Sequence, residues 1–150
     1  MKIYIYIGFI LLLGCKNLSY QSDDNSIDGN WKPFYQEING RSIPPMEFEH
    51  QLLILTDTTY IMKTGYLDEG TIQHANGKMD ITGTSGVNKG NHYKATYYRN
   101  YDTLILCYDL TGKNYPKQFK TFPNSNLFIC KFLKKNNGKI QYRSNHQPID

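Results

Sequence analysis

Apolar and polar residues alternate in short runs along most of the chain, and turn-forming residues separate the runs. A period of two is typical of strands that bury one face, and Asn-Gly pairs favour tight hairpins because both residues tolerate a positive φ. Asn39-Gly40 and Asn76-Gly77 are such pairs. The pattern predicts about eight strands, over residues 29–38, 50–56, 59–64, 70–75, 78–84, 91–99, 103–110 and 126–134.

A helix is not expected in this part of the chain. The longest helix-compatible stretch, residues 45–55, has no clean 3.6-residue period. Short strands with regular turns suggest a sandwich or a closed barrel, and closure removes exposed strand edges. Because the hairpins follow one another, we predict an all-β, antiparallel up-and-down barrel over residues 28–134.

The first fifteen residues, MKIYIYIGFILLLGC, have a different pattern. Lys2 is followed by an apolar run from Ile3 to Leu13, much shorter than the roughly 20 residues of a membrane-spanning helix. This pattern predicts a signal peptide over residues 1–14. An ordinary secretory peptide or a short transmembrane segment is the alternative.

The end of this run, Leu-Leu-Gly-Cys, resembles the lipobox of bacterial lipoproteins. The resemblance implies that Cys15 carries a thioether-linked diacylglycerol and an acylated amine, which together anchor a protein firmly to a membrane. Residues 15–27 are then the lipidated cysteine and a polar, flexible tether, and residues 135–150 are a polar tail. We expect an exported protein of the cell envelope, and Lys16 favours the outer membrane.

The amino-acid composition supports the prediction of strands, and the charge distribution limits the kinds of partner that the protein could bind. The 13 tyrosines outnumber the 7 phenylalanines and the single tryptophan, and tyrosine is frequent in strands and at half-wet surfaces. The formal charge of +4 is scattered along the chain. Without a basic stripe it does not indicate nucleic-acid binding.

Two stretches of the sequence, residues 29–31 and residues 95–134, resemble lipocalins or small lipocalin-like domains. Gly29-Asn30-Trp31 resembles the G-x-W motif that opens the first strand of lipocalins, whose Trp packs across the barrel floor against a basic residue of the last strand. That resemblance implies a contact between Trp31 and Lys131 or Lys134. Residues 95–134 resemble the closing part of an uncharacterised family of small lipocalin-like domains, first catalogued from planctomycetes. The matching positions are Tyr97, Asp102, Thr103, Leu104, Cys107, Gly112, Pro116 and Phe119.

This family resemblance implies a fold and export from the cytoplasm, and it implies no activity. The family usually has Arg before the proline, where this chain has Tyr115. A role that requires a positive charge at that position is therefore not carried over.

Cys107 and Cys130 are the cysteines that remain after lipidation. Cys107 lies in an apolar strand, where a buried, small hydrophobic side chain is one interpretation. A disulfide with Cys130 is the other, because disulfides persist in exported proteins. A nucleophilic role needs a nearby base, and the four histidines, His50, His74, His92 and His146, are scattered along the sequence.

Other candidate chemistry is weaker still. Gly112-Lys113 lacks the upstream glycine, the Ser/Thr and the helix of a phosphate-binding loop. The group of Glu47, Glu49 and His50 is interpreted as a solvated edge, and Asp68-Glu69 as charges of a turn. We therefore expect no metal, no cofactor and no catalysis.

The tyrosines leave the function open between two interpretations. Inward-facing tyrosines can fill a narrow barrel completely, or they can line a cavity that accepts a ligand. With a cavity, the protein binds a small apolar ligand; a protein partner is the other expectation. The alternative of a different class is an inhibitor or immunity-type protein that blocks an envelope enzyme or toxin. The candidate tyrosines are Tyr60, Tyr66, Tyr93, Tyr97, Tyr98, Tyr101 and Tyr108.

Overall fold

The computed structural model describes residues 26–135. The predicted signal peptide, Cys15 and nearly all of the predicted tether and C-terminal tail lie outside these residues. Ile27, the last residue of the predicted tether, is packed in the hydrophobic core. The ordered packing therefore begins at least one residue before the predicted boundary at residue 28.

The described chain is an all-β, closed, antiparallel barrel of eight long strands with one added two-residue strand. The first long strand pairs with the added two-residue strand and with the next long strand, and each later strand pairs with the one that follows it. The first long strand also pairs with the last strand, which closes the barrel. The predicted up-and-down barrel is confirmed. The strands are β1 (Gly29–Ile38), β2 (Arg41–Ser42), β3 (Leu52–Leu55), β4 (Thr59–Lys63), β5 (Leu67–Ala75), β6 (Lys78–Ser85), β7 (His92–Asn100), β8 (Thr103–Asp109) and β9 (Leu127–Lys134).

Both Asn-Gly pairs form hairpin turns, as their backbone preferences predict. Asn39 and Gly40 have φ values of 50° and 79°, and Asn76 and Gly77 have 51° and 73°. Positive φ at both central residues gives a turn whose twist matches that of the flanking strands. Residues 45–47 form one short 3-10 turn, and it is the one helical element of the described chain.

Trp31 fills one end of the barrel, which we call the Trp31 end. Its side chain is 0% exposed, and its indole N–H donates a hydrogen bond to the carbonyl oxygen of Ile27 at 2.8 Å. The Lys134 ammonium lies 5.6 Å from the ring centroid, and the Arg99 guanidinium lies 5.1 Å from it. Lys134 therefore makes the contact expected of the last strand, whereas Lys131 lies over Tyr35.

The register of β8 and β9 separates the two cysteines. Cys130 is paired with Leu106 and faces the barrel interior, whereas Cys107 is paired with Ile129 on the outer face. Neighbouring residues of a strand point to opposite faces, so the two thiols cannot meet. Both are free and buried. Of the two interpretations left open by the sequence, the buried hydrophobic side chain is the one that applies to Cys107.

Residues 110–126, which we call the strap, cross the outer face of the barrel. The Pro116 carbonyl oxygen accepts a hydrogen bond from Thr96, and the Phe119 ring packs edge-on against Tyr98 with centroids 6.5 Å apart. The strap covers Cys107, and burial raises the pKa of this thiol to about 11, although a hydrogen bond from the Lys120 backbone opposes the shift. A thiol in this environment is a poor nucleophile.

Candidate ligand-binding cavity

The barrel encloses a cavity of about 170 Å³ between its middle and the end opposite Trp31. Leu110, the first residue of the strap, lines the mouth and is 39% exposed. The walls are mostly aliphatic and aromatic side chains that alternate inward along seven strands. The lining residues are Leu53, Leu55, Tyr60, Met62, Asp68, Ile72, Met79, Ile81, Asn88, Tyr93, Leu106, Tyr108, Leu110 and Phe128.

Gly70 allows β5 and β6 to approach each other closely next to the cavity. A Cβ atom at Gly70 would lie 2.1 Å from the carbonyl oxygen of Thr82 and 2.4 Å from the Tyr60 ring. The absence of a side chain at Gly70 therefore lets Tyr60 turn inward and reach Asp68.

Asp68 is the centre of a polar edge on one side of the cavity. It is 3% exposed, and its Oδ1 accepts the Asn88 backbone N–H at 2.9 Å. Its Oδ2 accepts the Asn88 side-chain amide at 2.7 Å and the Tyr60 hydroxyl at 3.1 Å. The Asn88 side-chain oxygen in turn accepts the Tyr93 hydroxyl at 2.9 Å. These bonds compensate a carboxylate for the water it loses on burial.

The electrostatics of this edge favour a neutral Tyr60 phenol beside Asp68. Burial, followed by the adjacent Asp68 charge, raises the pKa of Tyr60 far above its ordinary value. Tyr60 therefore stays protonated as a hydrogen-bond donor. The interpretation of Asp68 as a turn charge is wrong, because β5 begins at Leu67 and directs Asp68 inward.

Tyr108 lines the cavity on its other side. Its ring stacks on Phe128, with centroids 5.7 Å apart and planes at 26°. Burial raises its pKa well above the ordinary value. The side chain alternates inward with Leu104 and Leu106 and is one of the residues that line the cavity.

A second polar group lies towards the Trp31 end and is separate from the cavity lining. Nδ1 of His74 lies 3.1 Å from the Tyr97 hydroxyl, and Nε2 lies 3.2 Å from Asp57 Oδ1. The sequence did not predict this contact, because 23 positions separate His74 from Tyr97. Among residues 26–135, no three His, Cys, Asp or Glu side chains form a group that could hold a metal ion.

The residues that carry the resemblance to lipocalin-like domains occupy structural positions. Leu104 is in the core, Pro116 is buried in the strap, and Phe119 packs on Tyr98. Asp102 lies in the β7–β8 turn, where its carbonyl oxygen accepts the Lys134 backbone N–H at 2.7 Å. Gly112 has a φ of 69°, and a Cβ there would lie 2.3 Å from the His92 carbonyl oxygen. A glycine is therefore needed in this turn, as its interpretation as a turn predicts.

Three carboxylates hold the strap to the barrel or shape its start. The pKa of Glu37 is lowered by hydrogen bonds from Thr121 and Tyr35, and that of Asp80 by hydrogen bonds from Lys94 and Tyr115. For Asp109, burial works to raise the pKa, but hydrogen bonds from the side chain of Thr111 and from backbone N–H groups outweigh it. Tyr115, the residue before Pro116, thus donates its hydroxyl to Asp80.

We expect the stability of the barrel to fall in acid because of these three carboxylates. Their folded pKa values lie below the ordinary range near 4, so their contribution is complete above about pH 5 and is lost as pH falls through the folded values. The measurement is the thermal unfolding midpoint from pH 7 to pH 2. The triple variant Glu37→Gln, Asp80→Asn, Asp109→Asn should show a flatter profile, and an equally steep profile would contradict this role.

Comparisons with family models, with curated proteins and with solved structures find no match to this chain. Within residues 26–135, no helix has the length and apolar character needed to cross a bilayer. The cavity and the N-terminal sequence are therefore the two features of the chain that bear on its function.

Proposed function

We propose that the chain is a lipid-anchored protein of the cell envelope whose barrel binds a small apolar molecule without catalysing a reaction. The cavity is the observation that carries this proposal. Nine aliphatic, Met or Phe side chains line it, and a few fixed polar groups lie at its edge, which is the usual composition of small-molecule sites. Its volume of about 170 Å³ suits a small occupant better than a long lipid chain.

The anchoring part of the proposal depends on the sequence of residues 1–15. The short apolar run and the Gly14-Cys15 junction support lipidation of Cys15. Membership of the lipocalin-like family is likewise part of the proposal, and the packing of Lys134 against Trp31 supports it.

A second candidate is the inhibitor or immunity-type protein, and the strap favours it. Phe119 is 41% exposed and packs against Tyr98, which is 52% exposed. Phe122, three residues further along the strap, is 43% exposed. The strap contributes three lysines and contains no Asp or Glu. An aromatic surface with positive charge is suited to an acidic protein partner.

Native mass spectrometry of the full chain, extracted from membranes in a non-denaturing detergent, tests both candidates. We expect a mature chain that starts at Cys15 and carries covalent lipid, with one additional small molecule bound non-covalently. Cys15→Ala is the control: it should lose the covalent lipid and its retention in the membrane fraction, while the small molecule stays bound.

The other outcomes of this measurement are equally informative. A mass that corresponds to a protein complex, with no small molecule, would favour the inhibitor candidate. Membrane retention of Cys15→Ala that resists release would overturn lipidation as the anchor.

A further inference from the structure

The polar edge around Asp68 has little capacity to bind an anion. Its donors are directed at the Asp68 carboxylate, which accepts two hydrogen bonds from Asn88 and one from Tyr60. The Tyr93 hydroxyl is directed at Asn88. The edge therefore presents a partnered carboxylate to the cavity and no cluster of free donors.

The charges of the residues that line the cavity also disfavour an anionic ligand. Of the fourteen described residues that line the cavity, one is Asp and none is Lys, Arg or His. An anionic ligand would lose its hydration in an apolar cavity and would face a like charge, with no cation to compensate. A fatty-acid carboxylate or a phosphate is thus disfavoured, although apolar walls alone would accept an acyl chain.

Tyr108 supplies the one lining hydroxyl that has no hydrogen bond to any residue of the described range 26–135. The hydroxyls of Tyr60 and Tyr93 are both engaged, whereas the Tyr108 ring is held by its stack on Phe128. A fixed ring with an available hydroxyl can donate to a ligand oxygen or accept from a ligand hydroxyl. Its orientation is set before the ligand arrives, which lowers the entropic cost of binding.

The volume limits the size of the ligand. A cavity of about 150 Å³ lined by Leu, Ile and Phe is large enough for benzene, and the present cavity has about 170 Å³. One ring with one small substituent is therefore the largest compact molecule that fits without rearrangement.

We propose that the cavity binds one neutral, ring-sized molecule that carries a single hydroxyl group, and that this hydroxyl pairs with the hydroxyl of Tyr108. The inference rests on the proposed ligand-binding function and specifies its ligand class. The cavity selects against carboxylates of the same size through Asp68 and through the lack of a lining cation.

Fluorine NMR of the full chain with three probes tests this inference. The probes are 4-fluorophenol, 4-fluorotoluene and 4-fluorobenzoate, which share a ring and differ in one substituent. With the wild type at pH 7, both neutral probes should bind saturably, and 4-fluorobenzoate should bind at least about tenfold more weakly. Tyr108→Phe should weaken 4-fluorophenol about threefold to tenfold, as expected for one lost hydrogen bond, and should leave 4-fluorotoluene within about twofold.

The possible failures are distinguishable from one another. If no probe binds, the proposed ligand-binding function itself is overturned. If 4-fluorobenzoate binds as tightly as the neutral probes, the selectivity is wrong, but the cavity is still a binding site. If Tyr108→Phe changes the affinities of 4-fluorophenol and 4-fluorotoluene equally, the proposed pairing with Tyr108 is overturned. The selectivity against carboxylates is tested separately, by the order of the three probe affinities for the wild-type protein.

Discussion

Trp31→Ala is expected to lower the free energy of unfolding by about 3–5 kcal/mol, the range for removal of a fully buried aromatic side chain. Trp31 is 0% exposed and packs between Ile27, Arg99 and Lys134. Its loss leaves a cavity at one end of the barrel and leaves the Ile27 carbonyl without its indole donor. Denaturant unfolding followed by circular dichroism measures the effect.

Phe34→Ala is the matched control for Trp31→Ala. Phe34 lies three residues further along β1 and is 48% exposed, so its replacement should change stability by less than about 1 kcal/mol. If the two variants lose the same free energy of unfolding, Trp31 contributes no more to stability than an exposed aromatic residue.

Ile72→Trp is expected to reduce ligand affinity by on the order of a hundredfold, because the indole would occupy the space that the ligand needs. Ile72 is 3% exposed and lines the cavity. The empty volume accommodates most of the larger side chain, so stability should fall by no more than about 1–3 kcal/mol. Titration with 4-fluorotoluene, followed by fluorine NMR, measures the change.

Thr71→Trp provides the control for Ile72→Trp on the neighbouring residue. Thr71 is exposed on the outer face of β5, so the same indole placed there should leave affinity within about twofold, since neighbouring strand residues face opposite sides. A similar loss of affinity in both variants would mean that Ile72→Trp acts by disturbing the barrel and not by filling the cavity.

The order and most boundaries of the strands could be predicted from the sequence because each strand carries its own alternation and each hairpin its own turn chemistry. The start of β5 is a boundary that the alternation does not predict correctly. Its first residues, Leu67 to Gly70, contain two acidic residues and a glycine, which are typical of a turn. The period-two series of Asp68, Gly70 and Ile72 was the available indication that the strand starts earlier.

The candidate site could not be predicted from the sequence, because it depends on strand register, on side-chain shapes and on contacts between distant residues. Whether Cys107 meets Cys130 is decided by a register difference of one residue between two strands, since such a shift moves a side chain to the other face. The cavity exists because inward side chains from seven strands leave volume unfilled, and this follows from their summed shapes. The environment of Asp68 includes Asn88, which the sequence places in a loop 20 residues away.

A crystal structure of the protein with 4-bromophenol shows directly whether the barrel cavity binds a ring-sized phenol, since anomalous scattering locates the bromine atom. We expect one bromine position inside the barrel, with the phenol ring between Ile72 and Phe128 and its hydroxyl within hydrogen-bonding distance of the Tyr108 hydroxyl. Anomalous signal on the outer surface alone, or a cavity that stays empty at saturating 4-bromophenol, would contradict this expectation.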